Sequence, residues 1–154
     1  MTVKRTAALL ISCALLLTIS IAAIGAPQNE GPRYLDLPGR TDDLPYSHLV
    51  VAGNTVYLSG TIGVDPATNM AHTDIDAEIR QVLDNVKERL AHVGLTMDDL
   101  VSVQVFCPDL SLYDRFNAIY ATYFEENRPA RAFIGSGPLL RDGHFEVQGV
   151  AVMR

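Results

Sequence analysis

The chain has 154 residues, with 12 Lys and Arg against 18 Asp and Glu and a formal net charge of −6. That balance offers nucleic-acid phosphates no basic cluster. Two of the basic residues, Lys4 and Arg5, stand in a leader, so the remainder, one domain of ordinary size with its own core, is more acidic still.

Residues 1–26 read as a signal peptide. Lys4 and Arg5 form a basic start, an apolar run extends from Ala7 to Ile24, and Ala22, Ala23, Gly25 and Ala26 offer small residues for cleavage. The alternative is an N-terminal anchor, because Thr6 to Ala26 approaches the roughly 20 apolar residues that span a bilayer. On the first reading the domain is exported, periplasmic or secreted, and it meets a membrane only if the leader is uncleaved. Cys13 follows Leu10-Ile11-Ser12, but the apolar run continues well past it, unlike a lipidation site. Cys107 is then the one cysteine of the exported part, so no intrachain disulfide can form. It reads as a small apolar residue ending a strand before Pro108.

Residues 27–44 are rich in Pro, Gly and charge, and read as a linker or poorly ordered arm before a domain at 45–154. Ser47 to Ala52 and Thr55 to Thr61 are β-rich runs joined by Gly53-Asn54, a two-residue hairpin connection. From Ile75 the apolar positions Ile79, Val82, Leu83, Val86, Leu90 and Val93 keep the period of an amphipathic helix. Thr73 with Asp76 is a capping pair at its start, and Gly94 is the stop. Leu100 to Cys107 is a partly alternating, β-branched strand. A second helix runs from Leu112 to about Glu126, starting near Ser111 and Asp114 and burying Phe116, Ile119, Tyr120, Tyr123 and Phe124. Arg131 to Ser136 and Phe145 to Met153 are the closing strands.

This order predicts an α+β domain in which two helices cover one face of a mixed sheet. Val101, Val103, Val105, Phe145 and Val147 are apolar at alternating positions, from which a second hidden face is expected, covered by self-association. His48, His72, His92 and His144 are scattered without metal-ligand spacing, so no metal site is expected. Gly135-Ser136-Gly137-Pro138 lacks the spacing and the Lys of a phosphate loop.

The most specific stretch is Pro129-Ala130-Arg131, followed by Ala132-Phe133-Ile134-Gly135 and, after a loop, Phe145-Glu146-Val147-Gln148-Gly149-Val150-Ala151-Val152. It puts a permanently charged planar guanidinium at the start of an apolar strand, where a bidentate carboxylate site would be built. This pattern, together with Tyr46, Gly60 and Asn117, resembles the Rid (RidA/YjgF) family over about Tyr46 to Arg154. The resemblance implies a chorismate-mutase-like fold, a homotrimer with pockets between subunits, no cofactor, and hydrolysis of reactive 2-imino or enamino acids to 2-keto acids and ammonia.

Residue by residue, the resemblance assigns Arg131 to the substrate carboxylate, where the alternative is a salt bridge to a nearby acid. It puts Tyr46 in the pocket wall contributed by the neighbouring subunit, the alternative being an aromatic core residue. Gly60 would let the ligand approach the backbone, or would mark a strand bulge. Asn117 would lie near the pocket, or on a solvated helix face. Phe133 stands where many members have Cys, which implies a narrower pocket if it faces inward. Gln148 stands where deaminating members have the second Glu of an apolar-Glu-apolar-Glu strand. Its carbonyl can hold water, but an amide accepts no proton at ordinary pH. Glu146, on the same strand face but displaced by about 6 to 7 Å, is not expected to take its place by simple rotation. Two functions stay open, the imine deaminase and a non-catalytic exported trimer that binds small carboxylate ligands. RNA cleavage, claimed for some relatives, is disfavoured by charge.

Overall fold

A computed structural model describes residues 31–40 and 43–154; the signal peptide or anchor expected at residues 1–26 lies outside the described residues. Six strands form one sheet: β1 (Arg33–Leu35), β2 (Leu49–Ala52), β3 (Thr55–Ile62), β4 (Leu100–Cys107), β5 (Ala130–Gly135) and β6 (Glu146–Val152). Two helices, α1 (Ile75–His92) and α2 (Tyr113–Tyr120), pack on it. The order across the sheet is β1-β2-β3-β6-β4-β5, with β4 and β5 parallel and every other neighbour antiparallel.

Gly53, at a φ of +62°, makes the β2–β3 hairpin turn as its sequence predicts. The arm before the domain is not uniformly a linker, because Arg33–Leu35 adds a strand to the edge of β2. α1 is capped by Asp74, whose carboxylate accepts from the Asp76 amide. Thr73 has no such role. Gly94, at φ +76°, follows the helix as expected. α2 is shorter than its apolar period suggests. A 3₁₀ turn at Leu110–Leu112, entered through an Asp109 bond to the Ser111 amide, precedes it, and another at Ala121–Tyr123 follows.

The alternation along β4 fixes the two faces of the sheet. Leu100, Val103, Val105 and Cys107 are buried, whereas Ser102 and Gln104 are exposed. The first set meets Ile79, Val82, Leu83, Phe116 and Phe145 in the core beneath the helices. Val103, Val105, Phe145 and Val147 thus pack toward the helices, which corrects the expectation that they mark a second apolar face. Val101 is 47% exposed, displaced where the register shifts between Leu100 and Ser102. The open face instead carries a mixed set that includes Tyr57, Ser102, Gln104, Glu146 and Gln148.

Candidate functional site

Register decides which candidates can meet. Arg131 and Phe133 on β5 pair with Val103 and Val105 of β4, which face the helices. Glu146 and Gln148 on β6 pair with Phe106 and Gln104, which face the other way. Within one chain, then, Arg131 and Gln148 lie on opposite sides of the sheet.

On the helix side, Arg131 sits half-buried among rings. Its guanidinium carbon is 4.6 Å from the centre of the Tyr120 ring, 5.8 Å from Phe133, and 5.9 Å from Tyr113 and Phe116. The negative faces of these rings stabilise the cation. Its Nη2 donates to the Asn117 Oδ1 at 2.6 Å, so Asn117 belongs to this cluster rather than to a solvated helix face. Among the described residues no carboxylate comes within ion-pair distance of Arg131, and the salt-bridge alternative does not hold. Phe133 faces inward, edge-on to Tyr113 at 5.1 Å and to Phe116 at 5.5 Å. The hydroxyl of Tyr120 is buried with no hydrogen-bond partner, and burial pushes its phenol up to about 12, against the pull of the Arg131 charge. Asn117, Tyr120, Arg128 and Arg131 line one cavity of about 360 Å³.

On the open face, the register of β3 with β6 shifts between Leu58 and Thr61, a bulge that takes in Ser59 and Gly60. The bulge reading of Gly60 holds, and the close approach seen there is that of a side chain of this same chain rather than of a ligand. The Glu146 carboxylate occupies the space a Cβ on Gly60 would need, its Cδ being 3.0 Å from that point. Arg89, reaching from α1, donates to the Ser59 carbonyl at 2.7 Å, the Ser59 hydroxyl at 2.9 Å and the Gly60 carbonyl at 3.4 Å, and so holds the bulge. Burial lowers the pKa of Arg89, while Tyr46 and Glu88 nearby favour its charge. Gln148 Nε2 donates to Gln104 Oε1 across the β4–β6 pair.

Tyr46 is half-exposed rather than a core aromatic. Arg40 lies over its ring at 5.3 Å and donates to its carbonyl at 2.7 Å, so the contacts of this residue are with the arm before β2 and not with the Arg131 cluster. His48 is structural, its Nδ1 accepting from the Leu37 amide at 3.0 Å. His144 pairs through Nδ1 with Glu78 at 2.7 Å. Cys107 donates through Sγ to the Asp109 carbonyl at 3.1 Å, and burial pushes its thiol up, away from the reactive thiolate.

Sequence reasoning missed the pairing of Glu146 with Gly60, the Arg89 clasp and the part of Arg128. A signal existed only for the first, in the expected closing-strand pair that puts Glu146 and Gln148 on one face.

A family profile described as Endoribonuclease L-PSP matches residues 41–153. The chain is 39% identical over 104 residues to a RutC family protein of Sulfurisphaera tokodaii, covering 67% of this chain and 83% of that protein. It is 37% identical over 113 residues to the 2-iminobutanoate/2-iminopropanoate deaminase of Escherichia coli K12, covering 71% and 88%. Among solved structures, the YjgF gene product of E. coli matches with a TM-score of 0.67 at 35% identity, over 79% of this chain and 94% of that one. RidA from an Antarctic Psychrobacter matches with a TM-score of 0.66 at 30% identity, over 77% and 94%.

Proposed function

The chain belongs to the Rid (RidA/YjgF) family, and from that premise we propose that it hydrolyses reactive 2-imino acids to 2-keto acids and ammonia. The observation that carries this reading is Arg131, a half-buried guanidinium held by Asn117 and aromatic rings with no carboxylate partner among the described residues. Such a cation is prepared for an incoming carboxylate, which its planar fork binds through two parallel hydrogen bonds.

The reaction needs a water placed against the imine carbon and a group to take its proton. The carboxylate against Gly60, Glu146, suits the second task, and Gln148 on the same strand face can orient the water through its carbonyl oxygen. As the water oxygen bonds to the imine carbon, a proton passes to Glu146 and then to the nitrogen. Collapse of the carbinolamine breaks the C–N bond as its hydroxyl proton passes to the nitrogen, leaving the keto group and releasing ammonia.

Arg131 and Glu146 face opposite sides of the sheet in one chain, so the reading requires two copies, one giving the Arg131 cluster and the next giving Gly60, Glu146 and Tyr46. A homotrimer with pockets between subunits meets that requirement. The leader supports work outside the cytoplasm, and the acidic balance gives an RNA backbone little to bind.

A second reading, a carboxylate-binding trimer without turnover, is favoured by the amide at Gln148. Ammonia release from imines generated in situ by an amino-acid oxidase, in competition with semicarbazide, separates the two. Acceleration that disappears in Arg131→Ala supports the deaminase; binding of a 2-keto acid without acceleration supports the binder.

A further inference from the structure

Arg131 is not the only arginine at its cavity. Arg128 lines the same space of about 360 Å³, three residues upstream. Among the described residues it forms no ion pair and no side-chain hydrogen bond. Pro129 follows it, which fixes its own φ and confines Arg128 to extended backbone, so the chain enters β5 stiffly. The third observation is the buried Tyr120 hydroxyl, 7% exposed as a residue and without a partner, in the same wall. A buried donor without an acceptor is costly, and an anionic oxygen brought to this wall would relieve it.

In a chain of net charge −6, the lining of this cavity holds two arginines and no acid, a local excess of positive charge that suits an anion. One carboxylate satisfies only one of them. We propose that the cavity selects ligands with two carboxylates, the 2-imino derivatives of acidic amino acids, with Arg131 taking the α-carboxylate and Arg128 the side-chain carboxylate. The Arg128 and Arg131 Cα atoms are at most about 10 Å apart along an extended chain, a span that the two long side chains close onto a four- or five-carbon diacid. This deepens the deaminase reading and rests on it for turnover: 2-iminoglutarate and water give 2-oxoglutarate and ammonia.

The test uses two imines, 2-iminoglutarate from L-glutamate oxidase and 2-iminobutanoate from an L-amino-acid oxidase, together with calorimetric binding of 2-oxoglutarate and 2-oxobutanoate. The diacid is expected to be preferred at least tenfold in kcat/KM and in Kd. Arg128→Ala should bring both ratios close to one, and Arg128→Lys should restore part of the preference. Equal handling of the two ligands, or a preference that survives in a folded Arg128→Ala protein, overturns the proposal. Preferential 2-oxoglutarate binding without acceleration of either imine sinks the deaminase reading and leaves the two-carboxylate cavity standing. Acceleration of the monocarboxylate imine alone does the reverse.

Discussion

The carboxylate of Glu146 fills the space in which a side chain on Gly60 would begin, its Cδ lying 3.0 Å from that point. The absent Cβ therefore serves two ends: it lets β3 bulge and gives an acid a seat on the sheet. In Gly60→Ala the clash falls on the end of a flexible side chain, so the fold should tolerate it at a cost of less than about 2 kcal/mol. The carboxylate, however, must move. Imine hydrolysis should fall at least tenfold while thermal unfolding shifts only slightly; unchanged activity would separate Gly60 from the reaction.

Glu146 and Gln148 point to the same side of β6, but only the first is an acid. If Glu146 takes the proton from water, Glu146→Gln should lower kcat by roughly 10²–10⁴. Adding Gln148→Glu to that variant should not restore the rate, because the new carboxylate stands beside Gln104 rather than Gly60. Recovery in the double variant, measured by ammonia release, would move the base to position 148.

Much of the fold was legible because its signals are local: the period of α1, the Gly53-Asn54 turn and the alternation of β4. The second helix was overextended because Tyr123 and Phe124 continue the apolar period while the backbone tightens to 3₁₀ at Ala121–Tyr123. Face assignment failed for Val103 and Val147 because alternation says which residues share a face and not which face the helices cover. Of the residues that the resemblance assigns to one pocket, Arg131, Asn117 and Phe133 come together on the helix side, whereas Gly60 and Gln148 lie on the open face of the same chain. Arg89 was not legible, since its contacts with Ser59 and Gly60 span about thirty residues and depend on a bulge that no sequence pattern announces.

Asn117 keeps the Arg131 fork in place through a single 2.6 Å bond. Asn117→Ala should raise KM several-fold and change kcat less, because the guanidinium keeps its charge and its aromatic surroundings. Arg131→Lys should cost more than Asn117→Ala, since an ammonium cannot reproduce the bidentate geometry. Steady-state kinetics on one imine with both variants checks the order, and the reverse order would make Asn117 the ligand contact.

Glu78 is fully buried, yet it accepts from the His144 amide at 2.6 Å and the Phe145 amide at 3.2 Å, and pairs with the His144 ring. It anchors the chain just before β6 and therefore just before Glu146. Glu78→Ala strands two backbone donors, at about 1–3 kcal/mol for each that stays buried and unpaired. His144→Ala, removing a side chain that is 42% exposed, should cost much less. Denaturant unfolding of the two variants decides; equal losses would locate the stabilisation in the ring contact instead of the amides.

Tyr120 allows the Arg131 cluster to be read through pH. Burial raises its phenol from 10.0 to about 12, with the Arg131 charge working in the opposite direction. Folding thus favours the neutral phenol, so its contribution to stability is complete below pH 10.0 and is lost as pH rises toward about 12. Tyr123, raised to about 12 by burial and by its bond to Asp84, titrates in the same window, so ultraviolet phenolate absorbance must be compared with and without Tyr120→Phe. That substitution should remove part of the late signal, and Arg131→Ala should move the Tyr120 portion to still higher pH because the neighbouring cation is gone. A late phase unaffected by Arg131→Ala would mean that the guanidinium does not stand over the Tyr120 ring in solution, and the aromatic cradle invoked for carboxylate binding would have to be abandoned.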